Sequence, residues 1–595
     1  MNLTPEEKEV GKQNFLEATG ATRRDFLKGT VLGGAATGAT LGSLYFNYGA
    51  IKNDRLRVGI IGTGDEGGVL IGALNPDYID VVAIADIRPY NIHRAFYGDL
   101  SSDGTKAARP GLCDIYGWKD QTEGEEHVKI YCQEKGQTYD ALLKDPKVEA
   151  VIIALPLWLH DIAAIKAMRA GKHVLTEKLM AHSVWQCKEM ARVAGETKKI
   201  LATGHQRHYS VLYDNAVSQI SSGLIGDVHA IRAQWHRDNL PGSDSWQPPL
   251  PTEKIMTPEE FANLEREAKK TGGDKAVGTL RNEYRLLREL HAWSKQRDQS
   301  KAAEAEKWAL KVEQKRQQLE DAVVDAAGYG YQDTTLPNGY QRSALEELIR
   351  WRLWDRTGGG LMAELGSHQL DASSIFISAQ REGHQKVMPL SVTGVGHRSL
   401  FPLDRDVDDH VYTIFEYPGL KYYKDGPGGE VADSQQKIIV TYSSINGNGY
   451  GGYGEVVLGT QGTLILDREK DAYLFKKSET QTKISVIPGK GGAAMDTYET
   501  GGGGGAAIAA AATPGDVSRG YREEIEHWAW CIRNPAPENV PKCHPKVAMA
   551  DAVIALTSNI AMRENRKIEF KPEWFDIESD ETPEGKQPRK LSELG

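Results

Sequence analysis

The chain has 595 residues, a formal net charge of −10 and 26% charged side chains. That length exceeds what one hydrophobic core supports, so at least two domains are expected; the scattered Lys and Arg in an acidic total argue against a nucleic-acid partner. The cysteines Cys113, Cys132, Cys187, Cys531 and Cys543 are odd in number and form no CxxC pair, which argues against zinc and disulfide frameworks, with Cys531 and Cys543 alone close enough in sequence to pair.

Residues 1–54 read as a targeting segment. Thr22-Arg23-Arg24-Asp25-Phe26-Leu27-Lys28 precedes a Gly/Ala-rich apolar run over 29–46, the order of a twin-arginine export signal. The expected location is periplasmic or otherwise extracytoplasmic. No small-x-small cleavage site follows Phe46, which allows the segment to remain as a membrane anchor.

Over 55–206 apolar runs alternate with amphipathic ones, with strands expected at 58–61, 81–85, 150–155, 173–176 and 200–203 and helices between them, for example 161–170 and 184–197. Such alternation predicts an α/β fold with a doubly wound parallel sheet of Rossmann type. The stretch 96–131 reads as an insertion. The first strand leads into Gly62-Thr63-Gly64-Asp65-Glu66-Gly67, and the second ends in Asp86. A strand turning into a helix beside a pyrophosphate tolerates no side chain at three positions, here Gly62, Gly64 and Gly67. Asp86 then suits the ribose hydroxyls and favours NAD, while Arg88 keeps NADP open. Asp65 and Glu66 have to point away from the phosphates.

From residue 207 to 570 the pattern becomes strand-like, at 228–235, 390–396, 411–417, 437–442, 455–458 and 463–466, which predicts an α+β domain with a largely antiparallel sheet open on one face. This is the expected substrate and oligomerisation domain. It is interrupted at 253–345 by a charged segment read as a solvated helical hairpin, and at 500–514 by a Gly/Ala-rich loop. Helices are expected at 522–532 and 547–563, and 571–595 is a polar tail.

Candidate chemistry lies at strand ends. Thr176-Glu177-Lys178-Leu179 ends the fourth expected strand, where an apolar wall can turn Lys178 into a proton shuttle. After Gly358-Gly359-Gly360, a helix carries Glu364, His368 and Asp371 on one face. No third metal ligand is evident beside them, so no metal is expected. Pro156 and His160 follow the third strand, and Gln206, Arg207 and Tyr209 the fifth, all on the ligand-binding edge. With Glu177, the residues Pro156, His160 and Gln206 are cofactor candidates; Arg207, Tyr209, His236 and Asp371 are substrate candidates. Arg237 and Trp246 lie beside His236 and suit a polyhydroxylated ring.

Together these motifs resemble the glucose-fructose oxidoreductase/inositol dehydrogenase (Gfo/Idh/MocA) family, closely over about 55–210 and 351–371 and not at all in the helical insertion. The resemblance implies NAD(P) in the first domain, a sugar, cyclitol or derivative as substrate, and a homo-oligomer built on the second-domain sheet. It places the family's lysine at Lys178, its histidine at His368 and its acid at Glu364, although Leu179 stands where the family has proline and Glu364 where it has Asp. The mechanism it implies gives a hydroxyl proton to His368 or Lys178 while the carbon passes hydride to nicotinamide, with Glu364 orienting and charging the histidine. An exported member lacks an exchangeable NAD pool. That favours a tightly held cofactor and leaves a sugar oxidoreductase, a redox-neutral glycosidase or lyase, and a non-catalytic binding protein as the readings.

Overall fold

The computed structural model describes residues 3–18, 46, 48, 49, 51, 54–252, 254–477, 484–489, 492–497 and 519–594. The twin-arginine motif at 22–28, most of the apolar run after it and the 500–514 loop lie outside these residues. Among the described residues no helix is long and apolar enough to cross a membrane.

The first sheet has six parallel strands, β1 (Leu56–Ile61), β2 (Ile79–Ala85), β3 (Lys129–Tyr131), β4 (Ala150–Ile153), β5 (His173–Glu177) and β6 (Leu201–Gly204), in the order β3-β2-β1-β4-β5-β6. Strands covered by helices on both faces read as continuous apolar runs, and all four residues of β4 are buried. The stretch 96–131 is therefore not wholly an insertion: its last three residues form the edge strand β3, too short to show a period. Lys178 accordingly follows the fifth strand, not the fourth.

The second sheet has eight strands: β7 (Val228–His236), β8 (Ser391–His397), β9 (His410–Pro418), β10 (Lys437–Ile445), β11 (Tyr453–Gly459), β12 (Gly462–Asp467), β13 (Asp471–Lys476) and β14 (Ile568–Glu569). Their order is β13-β12-β11-β7-β10-β9-β8-β14, antiparallel except for β7 beside β10. In β7, past a register shift at its start, buried Ile231 and Ala233 flank exposed Arg232, the pattern of a sheet with one open face.

The charged segment is more than a solvated hairpin. Its helices Pro258–Glu283, Arg285–Gln299 and Ala302–Glu320 enclose a small core of Met256, Phe261, Leu286, Leu287, Leu290, Val312 and Leu319. The first starts with a capping box in which Glu260 N donates to Thr257 Oγ1 (3.2 Å) and Thr257 N to Glu260 Oε2 (2.7 Å). The third docks on the first domain, where Gln314 Nε2 donates to Gly98 O (2.8 Å) and Leu100 N to Gln314 Oε1 (2.9 Å). The polar tail also packs. Arg589 meets buried Glu189 at 2.8 and 2.9 Å, and buried Lys188 donates to the carbonyls of Glu573, Ser579 and Glu581. All five cysteines are free and buried.

Candidate active site

A crevice of about 800 Å³ runs along the C-terminal ends of the first-sheet strands. Gly62 has φ +87°, and a Cβ there would collide with Ala154 O; one at Gly67 would collide with Gly62 O. Those two glycines let strand and helix close up. Gly64 differs: a Cβ would meet only Asn91 Nδ2 at 3.6 Å, and the residue lines the crevice, so its bare backbone faces a ligand. The helix Asp65–Ala73 begins here and aims its N-terminus at the same space.

Asp86 closes β2 with its carboxylate held by Thr63 N (2.8 Å) and Arg88 N (2.9 Å), facing the crevice as a ribose-binding group should. Asp65 also lines the crevice, but its carboxylate is paired with Arg94 at 2.8 Å, which offsets the charge of one of the two awkward acids. The other, Glu66, stays on the crevice wall, and burial raises its pKa against the pull of Lys178 and Arg352. Glu177 lines the same wall, and burial with Glu66 as neighbour pushes it well above the ordinary carboxylate range. In both acids the shift is toward the neutral form, the direction that lessens repulsion of a pyrophosphate.

The far wall comes from the insertion. Asp321 at its end is fully buried and pairs with Arg88 at 2.7 Å; Tyr329 and Tyr331 follow it along the crevice. Tyr331 packs edge-on against Trp158 with centroids 5.5 Å apart, and the Arg356 guanidinium lies 4.5 Å from the Trp158 ring.

Lys178 and Glu364 meet at the opposite end. Lys178 Nζ donates to Glu364 O (2.8 Å) and lies 3.6 Å from Glu364 Oε2, while Arg352 Nε donates to Oε1 (2.7 Å). Burial would raise the Glu364 pKa, yet Lys178 and Arg352 bring it down to about 2. The Lys178–Leu179 peptide is cis. Between Glu364 and His368 the backbone makes a π-turn over Met362–Gly366 before the α-helix Ser367–Ser378. That turn breaks the regular i, i+4 relation, and Glu364 makes no hydrogen bond to His368. The expected Glu364–His368 pairing is therefore replaced by Glu364–Lys178. His368 is buried, its ring 5.7 Å from Trp235, and burial reinforced by the Lys178 and Arg207 cations holds it well below its ordinary pKa.

A second crevice of about 950 Å³ adjoins the first, sharing Ser245, Pro249 and Arg350. His236, Arg237, Asp244 and Tyr453 line it. Behind this wall Trp235 stacks on Tyr453 at 4.3 Å on one side and lies near His368 on the other; neither Trp235 nor His368 lines either crevice.

Of the sequence candidates, Gly62, Gly64, Asp86, Pro156, Glu177, Lys178 and Glu364 line the first crevice and His236 the second. Others serve the interior. His160 lies between Leu179 O (2.9 Å) and Leu155 O (2.8 Å), tying two loops together. Gln206 donates to Tyr521 OH (3.3 Å). Arg207 is buried against Glu469 at 2.6 Å, and Tyr209 OH bonds His527 Nδ1 (2.8 Å) while accepting from Lys542 N. Asp371 bonds His208 Nε2 (3.0 Å) and Lys386 Nζ (3.2 Å). The turn Gln206–Tyr209 aims these side chains into the body of the protein, where charges more than 200 residues away meet them. Lys386 also pairs with Asp551, and His205, Cys543 and Asp551 place their ligand atoms within 4.8 Å of one another, a gathering the sequence did not reveal. The sequence also missed Arg352 and Asp321; Tyr329 and Tyr331, aromatic residues closing a charged stretch, were the available signal.

Residues 56–205 match a family model described as an oxidoreductase family with an NAD-binding Rossmann fold. The chain is 31% identical over 189 residues to an uncharacterized oxidoreductase of Rhizobium meliloti, covering 31% of this chain and 47% of that one. It is 37% identical over 101 residues (17% of this chain, 25% of the relative) to the 1-carboxy-3-chloro-3,4-dihydroxycyclohexa-1,5-diene dehydrogenase of Comamonas testosteroni. A 2,7-anhydro-N-acetylneuraminate hydratase of Mediterraneibacter gnavus is 34% identical over 130 residues (19% of this chain, 35% of the relative). The chain thus spans less than half the length of these relatives.

Proposed function

Because residues 56–205 belong to the Gfo/Idh/MocA oxidoreductases, a family with an NAD-binding Rossmann fold, we propose that this protein is an NAD-dependent oxidoreductase acting on a hydroxyl of a sugar- or cyclitol-like ring. The observation that carries the reading is the Lys178–Glu364 pair on the wall of a crevice built for a dinucleotide, which a second, polar and aromatic crevice adjoins through Ser245, Pro249 and Arg350. The open backbone at Gly64 and the carboxylate of Asp86 suit a pyrophosphate and a ribose. NAD is favoured over NADP because Arg88 is already committed to Asp321 and cannot turn to a 2′-phosphate without breaking a buried pair.

When bound, the nicotinamide supplies the hydride acceptor. The protein's part is positioning and proton handling. Lys178, aimed by its hydrogen bond to the Glu364 carbonyl, donates a hydrogen bond to the reacting oxygen and stabilises negative charge there. His368, held neutral by burial, has a free lone pair and takes the hydroxyl proton. Tyr453 offers a flat face to a ring.

The wall that the insertion puts over the adenosine half favours a cofactor that is retained and recycled in place. That supports a second, redox-neutral reading. A ketone formed on the ring acidifies the adjacent C–H, a glycosidic group leaves by elimination, water adds and the hydride returns to carbon. The hydratase named among the relatives is consistent with such chemistry. Export through the 22–46 segment, anchoring by an uncleaved segment and a homo-oligomer across the open sheet belong to the same proposal, tested by fractionation and solution mass.

The deciding experiment is NAD content. Protein purified, denatured and extracted is expected to release close to one NAD per chain; a chain without any is a binding protein and the enzymatic reading fails. Reduced-nicotinamide absorbance on adding sugars marks an oxidoreductase. Aglycone release from a chromogenic glycoside without net absorbance change marks the redox-neutral form.

A further inference from the structure

The second crevice contains a cation that no anion pairs or hydrogen-bonds directly, the Glu364 and Asp244 carboxylates acting on it only through space. Arg237 follows β7 directly, its backbone N–H bonded to Ile445 O at 2.9 Å, which fixes it at the strand end. Its guanidinium carbon lies 5.6 Å from the ring centroids of both Trp235 and Trp246. Among the described residues it has no hydrogen bond or ion pair.

The other arginines on these walls are engaged. Arg350 pairs with Glu346 (2.7 Å) and donates to Pro248 O; Arg285 pairs with Glu289 (3.0 Å) and Arg352 with Glu364 (2.7 Å). The acids that line the crevice are engaged too. Asp244 is held by Arg405 at 2.6 Å and by Trp246 N at 2.9 Å, and Asp238 accepts from Gly449 N at 2.6 Å. Glu364, the nearest remaining carboxylate, already serves both Lys178 and Arg352.

A partly buried guanidinium with no anion carries a desolvation cost that a ligand anion would offset. Burial accordingly pulls the Arg237 pKa below its ordinary value. The two indole rings 5.6 Å away accept none of its N–H groups in a hydrogen bond, which leaves the guanidinium fork for a planar carboxylate to meet with two parallel hydrogen bonds.

Resting on the reading of this crevice as the substrate site, we propose that Arg237 selects ring substrates that bear an anionic substituent, a carboxylate in the manner of a hexuronate, with the reacting hydroxyl toward Lys178 and His368. A phosphate ester shares the negative charge but not the planar geometry.

The test is calorimetric binding to the NAD-loaded protein of three matched ligands: D-glucose, D-glucuronate and D-glucose 6-phosphate. Glucuronate is expected to bind about tenfold to a hundredfold more tightly than glucose, the range for hydrogen bonds to a charged group. Arg237→Met should abolish that preference, read as the ratio of the glucose and glucuronate dissociation constants, and Arg237→Lys should restore part of it. Equal affinities in the wild type, or a preference that survives Arg237→Met, overturn the proposal while leaving the oxidoreductase reading intact. Tighter binding of glucose 6-phosphate than of glucuronate overturns the carboxylate assignment. A protein that binds NAD but none of the three ligands overturns both the proposal and the placement of the substrate.

Discussion

Lys178 and Glu364 are joined twice, through the lysine ammonium to the main-chain carbonyl of Glu364 and, 3.6 Å away, to its carboxylate. One residue ends a strand of the first domain and the other sits in a π-turn packed on the second sheet. Their contact therefore fixes the lysine ammonium on the wall of the first crevice, between the two domains.

Replacing Lys178 with Met removes the charge and keeps the bulk. Turnover on an identified substrate is expected to fall by about 10²- to 10³-fold, the usual worth of one donor aimed at developing negative charge. NAD content after denaturation should be unchanged. Loss of NAD from the variant would place Lys178 in cofactor binding instead.

The pKa of Glu364 is depressed from 4.5 to about 2 in the folded protein. A depressed carboxyl stabilises the fold fully above its unfolded value and loses that contribution as pH falls through the folded one. Glu364→Gln should therefore melt at lower temperature than wild type at pH 7, and the two should converge as pH drops from about 4.5 toward 2. Parallel melting curves over that window would show that the pair contributes nothing to stability.

Arg88 and Asp321 are 233 residues apart in sequence and share a buried ion pair at the ribose end of the crevice. Asp321→Asn keeps the shape but releases the guanidinium. The expected result is a shift of cofactor preference toward NADP, read as the ratio of Kd values for the two dinucleotides, together with faster NAD loss on dialysis.

Lys386 holds Asp371 and Asp551 in the interior. Removing one partner of a buried charge pair leaves the other uncompensated, at a cost of about 3–5 kcal/mol. Lys386→Met should lose that much stability in urea unfolding at neutral pH, measured at matched NAD content.

What the sequence made legible follows from how local each signal is. The fingerprint from Gly62 to Asp86 is one strand, one turn and one strand, so spacing alone carries it. Lys178 was legible because it ends a strand, where the fold dictates the edge. Arg207 and Tyr209 stand only a few residues past another strand end, yet they face inward, because a short 3-10 turn rotates them toward Glu469 and His527 from distant parts of the chain. Glu364 and His368 share an i, i+4 spacing that a π-turn cancels, and nothing in composition marks such a turn. The wall made by Asp321, Tyr329 and Tyr331 depends on tertiary docking of a charged segment, which periodicity reads as solvated.

The dinucleotide domain is not finished by its own residues. Glu189 is fully buried against Arg589, and Lys188 is encircled by carbonyls of residues 573, 579 and 581. A nascent first domain thus exposes two charged groups in its helix that find partners only after the chain through Arg589 has left the ribosome. A fragment cut after the sixth strand would carry both charges unanswered.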